Sequence, residues 1–145
     1  MRDTLTIFYA DDDLDDLEFF KKIIQMNGGN YRLITHKNGD QLLQALENPP
    51  PSPALLFLDI NMPGMNGLDI LKTLRESERY MKLPIIMLST TKEDSVIQKS
   101  LELGASYYVP KASNFKELKQ SIEFALQINW GNFVPNQNNF LYHSN

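Results

Sequence analysis

Residues 54–67, ALLFLDINMPGMNG, decide the fold. Ala54 to Leu58 is an unbroken apolar run of strand length that stops at an acid, Asp59. Asn61 to Gly67 then forms a loop dense in turn residues, and Leu68 to Ser77 carries Leu68, Leu71 and Leu74 at helical spacing. A strand apolar at every position has no face for water, so it belongs in a sheet covered on both sides. The unit is a buried strand, a polar turn and an amphipathic helix.

The same unit recurs on either side. Towards the N-terminus, Thr4 to Ala10 (TLTIFYA) reads as a strand. Leu14 to Met26 reads as a helix with Leu14, Leu17, Phe20, Ile23 and Ile24 on one stripe, closed by Gly28-Gly29. Tyr31 to His36 is a second strand, and Asn38 with Gln41 three residues on is a capping-box-like start for the helix bearing Leu42, Leu43, Ala45 and Leu46. The run from Asn48 to Pro53 can be neither helix nor paired strand. Towards the C-terminus, Pro84 to Ser89 (PIIMLS) is a fourth strand. Thr91 is the expected cap of the next helix, with Glu93 and Asp94 near its positive end, and Gly104 closes it. Ser106 to Val109 is a fifth strand, and Asn114 with Glu117 starts a last helix running to about Ile128. Five strands alternating with five helices predict an α/β fold, a doubly wound (βα)5 sandwich on a five-stranded parallel sheet. Residues 1–128 form the domain. Residues 129–145 are an extension with six Asn, plus Trp130, Phe133, Phe140 and Tyr142. From Asn136 onward it is expected to be partly disordered, with Trp130 and Phe133 packing on the body or a partner.

Composition narrows the chemistry. The 145 residues suit one domain with a full core. The absence of Cys removes disulfides, thiolate metal sites and a Cys nucleophile, and two histidines (His36, His143) argue against a His-rich metal site. A net charge of −4 argues against a general nucleic-acid binder. Neither a signal peptide nor an apolar run of membrane-spanning length is evident, so a cytoplasmic location away from membranes is expected.

In a doubly wound sheet, ligands bind at the carboxyl ends of the strands. Those ends read Asp11-Asp12-Asp13, Asp59, Ser89-Thr90-Thr91 and Lys111. Carboxylates gathered at one edge repel one another and call for a cation. A hard divalent ion with oxygen ligands fits, and Mg²⁺ suits a site of one or two carboxylates that keeps its waters. With Lys111 as a second cation and Ser89 as a hydroxyl donor, the edge can seat a phosphoryl group on a carboxylate nucleophile. Asp13, Asp15 and Asp16 suit a helix cap or dipole partner, and Asp15 and Asp16 are read that way.

The segments YADDD (9–13), FLDINMPGMNG (57–67), LPIIMLST (83–90) and GASYYVPK (104–111) resemble the receiver domain of two-component response regulators. The likeness spans about residues 4–128, with thirty positions from Asp59 to Ser89 and twenty-two more to Lys111. It implies the flavodoxin-like strand order 2-1-3-4-5. It implies Asp59 as phosphoacceptor, and Asp12 and Asp11 as acids holding Mg²⁺ directly and through water. Asn61 would lend its backbone carbonyl to the metal. Ser89 and Lys111 would bind the phosphoryl group, and Tyr108 would be the aromatic switch that moves as Ser89 is drawn in. The implied partners are a sensor histidine kinase or phosphotransfer protein and a downstream protein target. Seventeen residues past the last helix suggest output by protein–protein contact.

Two features depart from the usual pattern. Pro110 precedes Lys111 where a Pro normally follows, and Thr90 is bulkier than the common residue after Ser89. With the Ser113-Asn114 helix start and the Trp-bearing extension, they resemble stand-alone receivers paired with bacterial phytochromes, which favours a homodimer. Other readings fit less well. A haloacid-dehalogenase-like phosphohydrolase wants an acid at position 61, where Asn61 stands. A flavodoxin wants a phosphate-cradling loop where Asp11-Asp12-Asp13 repels anions. A non-phosphorylated pseudo-receiver, acting as a docking module, is the alternative that keeps the fold. The expected role is a phosphoacceptor signalling domain, not an enzyme beyond its own phosphorylation and dephosphorylation.

Overall fold

The computed structural model describes residues 4–50 and 53–144. Pro51 and Ser52, in the Pro-rich run, lie outside the described residues. The elements run β1 (Leu5–Ala10), α1 (Leu14–Asn27), β2 (Tyr31–His36), α2 (Gly39–Ala45), β3 (Ala54–Leu58), α3 (Gly67–Arg75), β4 (Ile85–Ser89), α4 (Asp94–Glu102), β5 (Tyr107–Pro110) and α5 (Phe115–Gln127). The strands form one parallel sheet in the order β2-β1-β3-β4-β5, the expected doubly wound α/β architecture.

Alternation along the strands divides the core in two. Phe8, Ala10, Leu56, Leu58, Ile85 and Met87 point to one face and pack with Leu42 of α2, with Leu46 just past its end, and with Ile70, Leu71 and Leu74 of α3. Ile7, Tyr9, Leu55, Phe57, Ile86 and Leu88 point to the other and meet Leu17, Phe20, Ile23, Leu118, Ile122 and Ala125 of α1 and α5. That division explains the largely apolar strands: both faces are dry, so both alternate sets are apolar at most positions of β1, β3 and β4. Helix α4 is held more lightly, with Ser100 its one fully buried residue and Val96, Ile97 and Leu101 only partly covered.

The helix starts follow local chemistry. Asp13, Asn38 and Asn114 accept backbone N–H groups of the first turns of α1, α2 and α5. Asn66 does the same for α3, accepting from Asp69, and moves that start one residue ahead of the expected Leu68. Thr91 does not cap α4. That helix begins at Asp94 behind Glu93, with no side-chain cap bond. Thr91 is committed elsewhere: its N–H donates to Ser89 Oγ at 3.3 Å and its carbonyl accepts from the Tyr108 hydroxyl at 2.7 Å. At the sheet's other end, half-buried Arg75 ties α3 to the turn before β5 through the Gly104 carbonyl (2.7 Å) and Ser106 Oγ (3.4 Å), and to the α3–β4 loop through the Tyr80 carbonyl (3.0 Å).

The extension folds onto the body, including the part expected to be partly disordered. Trp130 and Phe133 stack edgewise on Tyr107, with ring centres 6.1 and 6.0 Å away. Beyond Asn136 the chain adds itself to the open edge of β5. The Tyr108 N–H donates to the Phe140 carbonyl at 3.0 Å, and the Tyr142 N–H donates to the Tyr108 carbonyl at 2.9 Å. An edge strand carries unpaired backbone groups, and this bridge satisfies one residue's worth of them while burying Phe140. The Asn content is turn chemistry: Asn136 Oδ1 accepts from Asn138 and Asn139, and Asn139 Oδ1 accepts from Asn136.

Candidate functional site

Parallel strands share one carboxyl edge, so residues far apart in sequence meet there. Asp11 and Asp12 follow β1, Asp59 follows β3, Ser89 ends β4 and Lys111 follows β5. Register is fixed by backbone bonds at that edge: Asp59 N–H donates to the Ala10 carbonyl at 3.0 Å, and Lys111 N–H to the Ser89 carbonyl at 2.8 Å. Pro110, out of place in the sequence pattern, sits harmlessly at the end of β5 opposite Ser89. Helix α3 closes tightly over Asp59. A Cβ on Gly67 would lie 2.2 Å from the Asp59 carbonyl oxygen, so only glycine fits there.

The carboxylates of Asp11, Asp12 and Asp59 offer oxygens within 4.8 Å of one another. Asp11 is fully buried. It accepts from the Tyr9 hydroxyl, from the Asp13 N–H at 3.0 Å and from Lys111 Nζ at 2.8 Å. Asp59 is buried as well, whereas Asp12 is exposed. Lys111 Nζ stands 3.6 Å from Asp59. Burial, reinforced by the negative charge of Asp11, pushes the Asp59 carboxyl up to about 7, although Lys111 and the Asn61 N–H pull the other way. For Lys111, burial favours loss of the proton, but hydrogen bonds to Asp11 and Asp16 prevail and raise its pKa. Burial, aided by Asp11, likewise raises Tyr9, so its phenol stays a donor.

A second group of residues lies beside this cluster. Ser89 is buried and linked through Thr91 to Tyr108, which is itself buried. Asn61 reaches the same loop, its Nδ2 donating to Thr91 Oγ1 at 3.4 Å. Of the residues singled out in the sequence, Asp11, Asp12 and Asp59 are thus in mutual reach, with Lys111 bonded to Asp11 and beside Asp59. Ser89, Asn61 and Tyr108 are joined to one another through Thr91.

One member of the site was missed. Asp16, read as a dipole partner of α1, instead holds Lys111 Nζ at 2.8 Å. The helical phase carried the signal: Asp16, Phe20, Ile23 and Ile24 recur at i, i+4, i+7 and i+8, so Asp16 begins the buried stripe while Asp15 lies off it.

An all-oxygen cluster of three acids, one wholly buried and one with its pKa raised to about 7, chiefly by burial, fits a hard divalent cation. Fold and site together define a doubly wound α/β domain with an acidic pocket compatible with Mg²⁺ and an aspartyl phosphate. Residues 7–123 match the response regulator receiver domain, and the chain belongs to that family of two-component signalling domains. It is 35% identical over 134 residues to the transcriptional regulatory protein CpxR of Escherichia coli K12, covering 92% of this chain and 54% of that protein. The chain therefore spans about half the length of the curated relatives it matches. Its fold superposes on the Mn²⁺-bound response regulator Rcp1 (TM-score 0.75, 21% identity, 90% of this chain and 96% of the other). It does so equally on the phosphorylated cyanobacterial phytochrome response regulator RcpA (TM-score 0.76, 21% identity, 90% and 96%). No helix among the described residues is long and apolar enough to cross a membrane.

Proposed function

We propose that this receiver domain accepts a phosphoryl group on the Asp59 carboxylate and signals through the change that follows. The observation that carries the reading is one cluster: buried Asp59, 3.6 Å from Lys111 and within 4.8 Å of the oxygens of Asp11 and Asp12. The donor is the phosphohistidine of a sensor histidine kinase or a phosphotransfer protein. The P–N bond to the donor breaks as a P–O bond to Asp59 forms, and the lone pair returns to the imidazole. Asp11, Asp12, Asp59 and the Asn61 carbonyl would hold Mg²⁺, which supplies positive charge for the phosphoryl oxygens. Lys111 supplies the second positive charge, and the Ser89 hydroxyl donates to a phosphoryl oxygen.

The Ser89–Thr91–Tyr108 connection supports an output route. Moving Ser89 towards the phosphoryl group disturbs the Thr91 carbonyl to which the Tyr108 hydroxyl donates, and the ring moves with it. The surface of α4, β5 and α5 is then biased between two states, and a protein target, or a second copy in a homodimer, reads the difference. The Ser113-Asn114 helix start and the Trp-bearing extension support a phytochrome-type kinase as donor, and the reading has the protein in the cytoplasm. The domain acts on no substrate other than its own aspartyl phosphate.

Intact-protein mass after incubation with Mg²⁺ and acetyl phosphate tests the reading. Wild type should gain one phosphoryl group, which should not form when Mg²⁺ is chelated beforehand and should be absent in Asp59→Asn. Absence of the adduct in folded wild type under both acetyl phosphate and kinase would leave a docking module. An adduct persisting in the variant would place the nucleophile elsewhere.

A further inference from the structure

The Lys111 ammonium has three N–H donors, and two are already used. Short bonds of 2.8 Å run to Asp11 and to Asp16, whereas Asp59 waits at 3.6 Å, beyond hydrogen-bond distance. The two short bonds anchor the ammonium on the side of Asp11 and Asp16, so a shift towards a group on Asp59 works against them. Asp11 is the harder partner to leave. It is fully buried and fixed by the Tyr9 hydroxyl and the Asp13 N–H, so an abandoned charge there has no water to turn to. Asp16 lies on the first turn of α1 with its side chain 26% exposed, and water can replace the ammonium at small cost.

We propose that Asp16 is a positioning residue that holds Lys111 back from Asp59, so that phosphorylation must first detach the lysine from α1. This rests on Asp59 being the phosphoacceptor. The consequence is a split between two rates. Phosphorylation starts with Lys111 on Asp16 and reaches a transition state in which the ammonium faces the phosphoryl oxygens, so the Asp16 contact opposes the forward step. Dephosphorylation starts with Lys111 already detached, so Asp16 has little to act on. The device sets how readily the domain is charged, not how long it stays charged, and it ties the start of α1 to the state of the site.

The test compares Asp16→Asn with Asp15→Asn. Both remove one negative charge from the same turn, but the Asp15 side chain makes no bond to Lys111 among the described contacts. Phosphorylation by acetyl phosphate, dephosphorylation after donor removal, and affinity for beryllofluoride with Mg²⁺ are measured in wild type and both variants. For an ion pair partly open to solvent, Asp16→Asn should speed phosphorylation and tighten beryllofluoride by about two- to five-fold, with dephosphorylation changed less than about two-fold. Asp15→Asn should match wild type, and Asp16→Glu should restore slow phosphorylation. Equal effects of both Asn variants would reduce Asp16 to a diffuse charge and overturn the proposal, as would slower phosphorylation in Asp16→Asn with the melting temperature unchanged. If wild type takes neither phosphoryl nor beryllofluoride, the phosphoacceptor reading itself fails. If wild type does and Asp16→Asn equals wild type, only the role of Asp16 fails.

Discussion

Asp59 is an acid whose neighbours disagree about its charge. Burial and Asp11 favour the neutral form, while Lys111 and the Asn61 N–H favour the ionised one, and the balance leaves it near 7 against 3.8 for a free carboxyl. Between those values the folded protein binds a proton that the unfolded chain has released. The metal-free protein therefore loses stability as pH rises from 3.8 to about 7. Asp59→Asn keeps the shape and removes the titration. In EDTA it should be more stable than wild type at pH 8, by about 1–2 kcal/mol once solvent screening is allowed for, and should match wild type near pH 4. Urea denaturation at the two pH values measures this, and a gap that is equal at both would place the cost in packing rather than charge. Added Mg²⁺ should narrow the gap at pH 8, because a cation on Asp11 and Asp12 relieves the same repulsion.

At the scale of elements, α3 shows how tightly the backbone is set around the acid. Glycine at a helix start is normally the weaker choice, and alanine would be expected to gain up to about 1 kcal/mol. Here a Cβ on Gly67 would meet the Asp59 carbonyl at 2.2 Å, and that backbone is locked to β1 through the Asp59 N–H. Gly67→Ala should thus lose about 1–3 kcal/mol in spite of its propensity. It should also slow phosphorylation by shifting the loop that carries Asp59 and Asn61. A thermal melt and the acetyl phosphate rate check both halves. By contrast α4 has one fully buried residue, no side-chain cap and a preceding loop tied to Ser89 and Tyr108. Light packing beside the site makes α4 the helix best able to shift when the site changes.

At the scale of the whole molecule, the extension turns an open sheet edge into a covered one. Both of its backbone bonds to β5 go to Tyr108, the residue whose hydroxyl reaches Thr91, and Phe140 seals the contact. Phe140→Ala, or a chain ending at Pro135, should leave the five-stranded core folded. It should expose the Tyr108 N–H, raising its hydrogen-exchange rate by at least about ten-fold, the equivalent of about 1.4 kcal/mol of local stability. Exchange of β1 and β3 amides should be unchanged. Equal loss of protection across the sheet would mean that the extension belongs to the cooperative core.

The sequence by itself determined the elements and the edge. Continuous apolar runs such as Ala54 to Leu58 and Ile85 to Leu88, alternating with amphipathic helices, dictate a parallel sheet buried on both faces. Parallel strands then oblige Asp11, Asp12, Asp59, Ser89 and Lys111 to share one end. Such patterns are short-ranged and set by side-chain periodicity, so they survive being read one segment at a time. Only the tertiary structure decided what each polar group meets. Helical phase turns Asp16 inward, but that it finds Lys111, 95 positions away, depends on where the fold carries the segment between β5 and α5. Thr91 has the residue type of a cap, yet Ser89 and Tyr108 claim its N–H and carbonyl before α4 begins. The extension lacks a period because it forms no element of its own. Its order comes from the backbone groups that β5, as an edge strand, leaves open, and no local pattern in residues 136–142 encodes that vacancy.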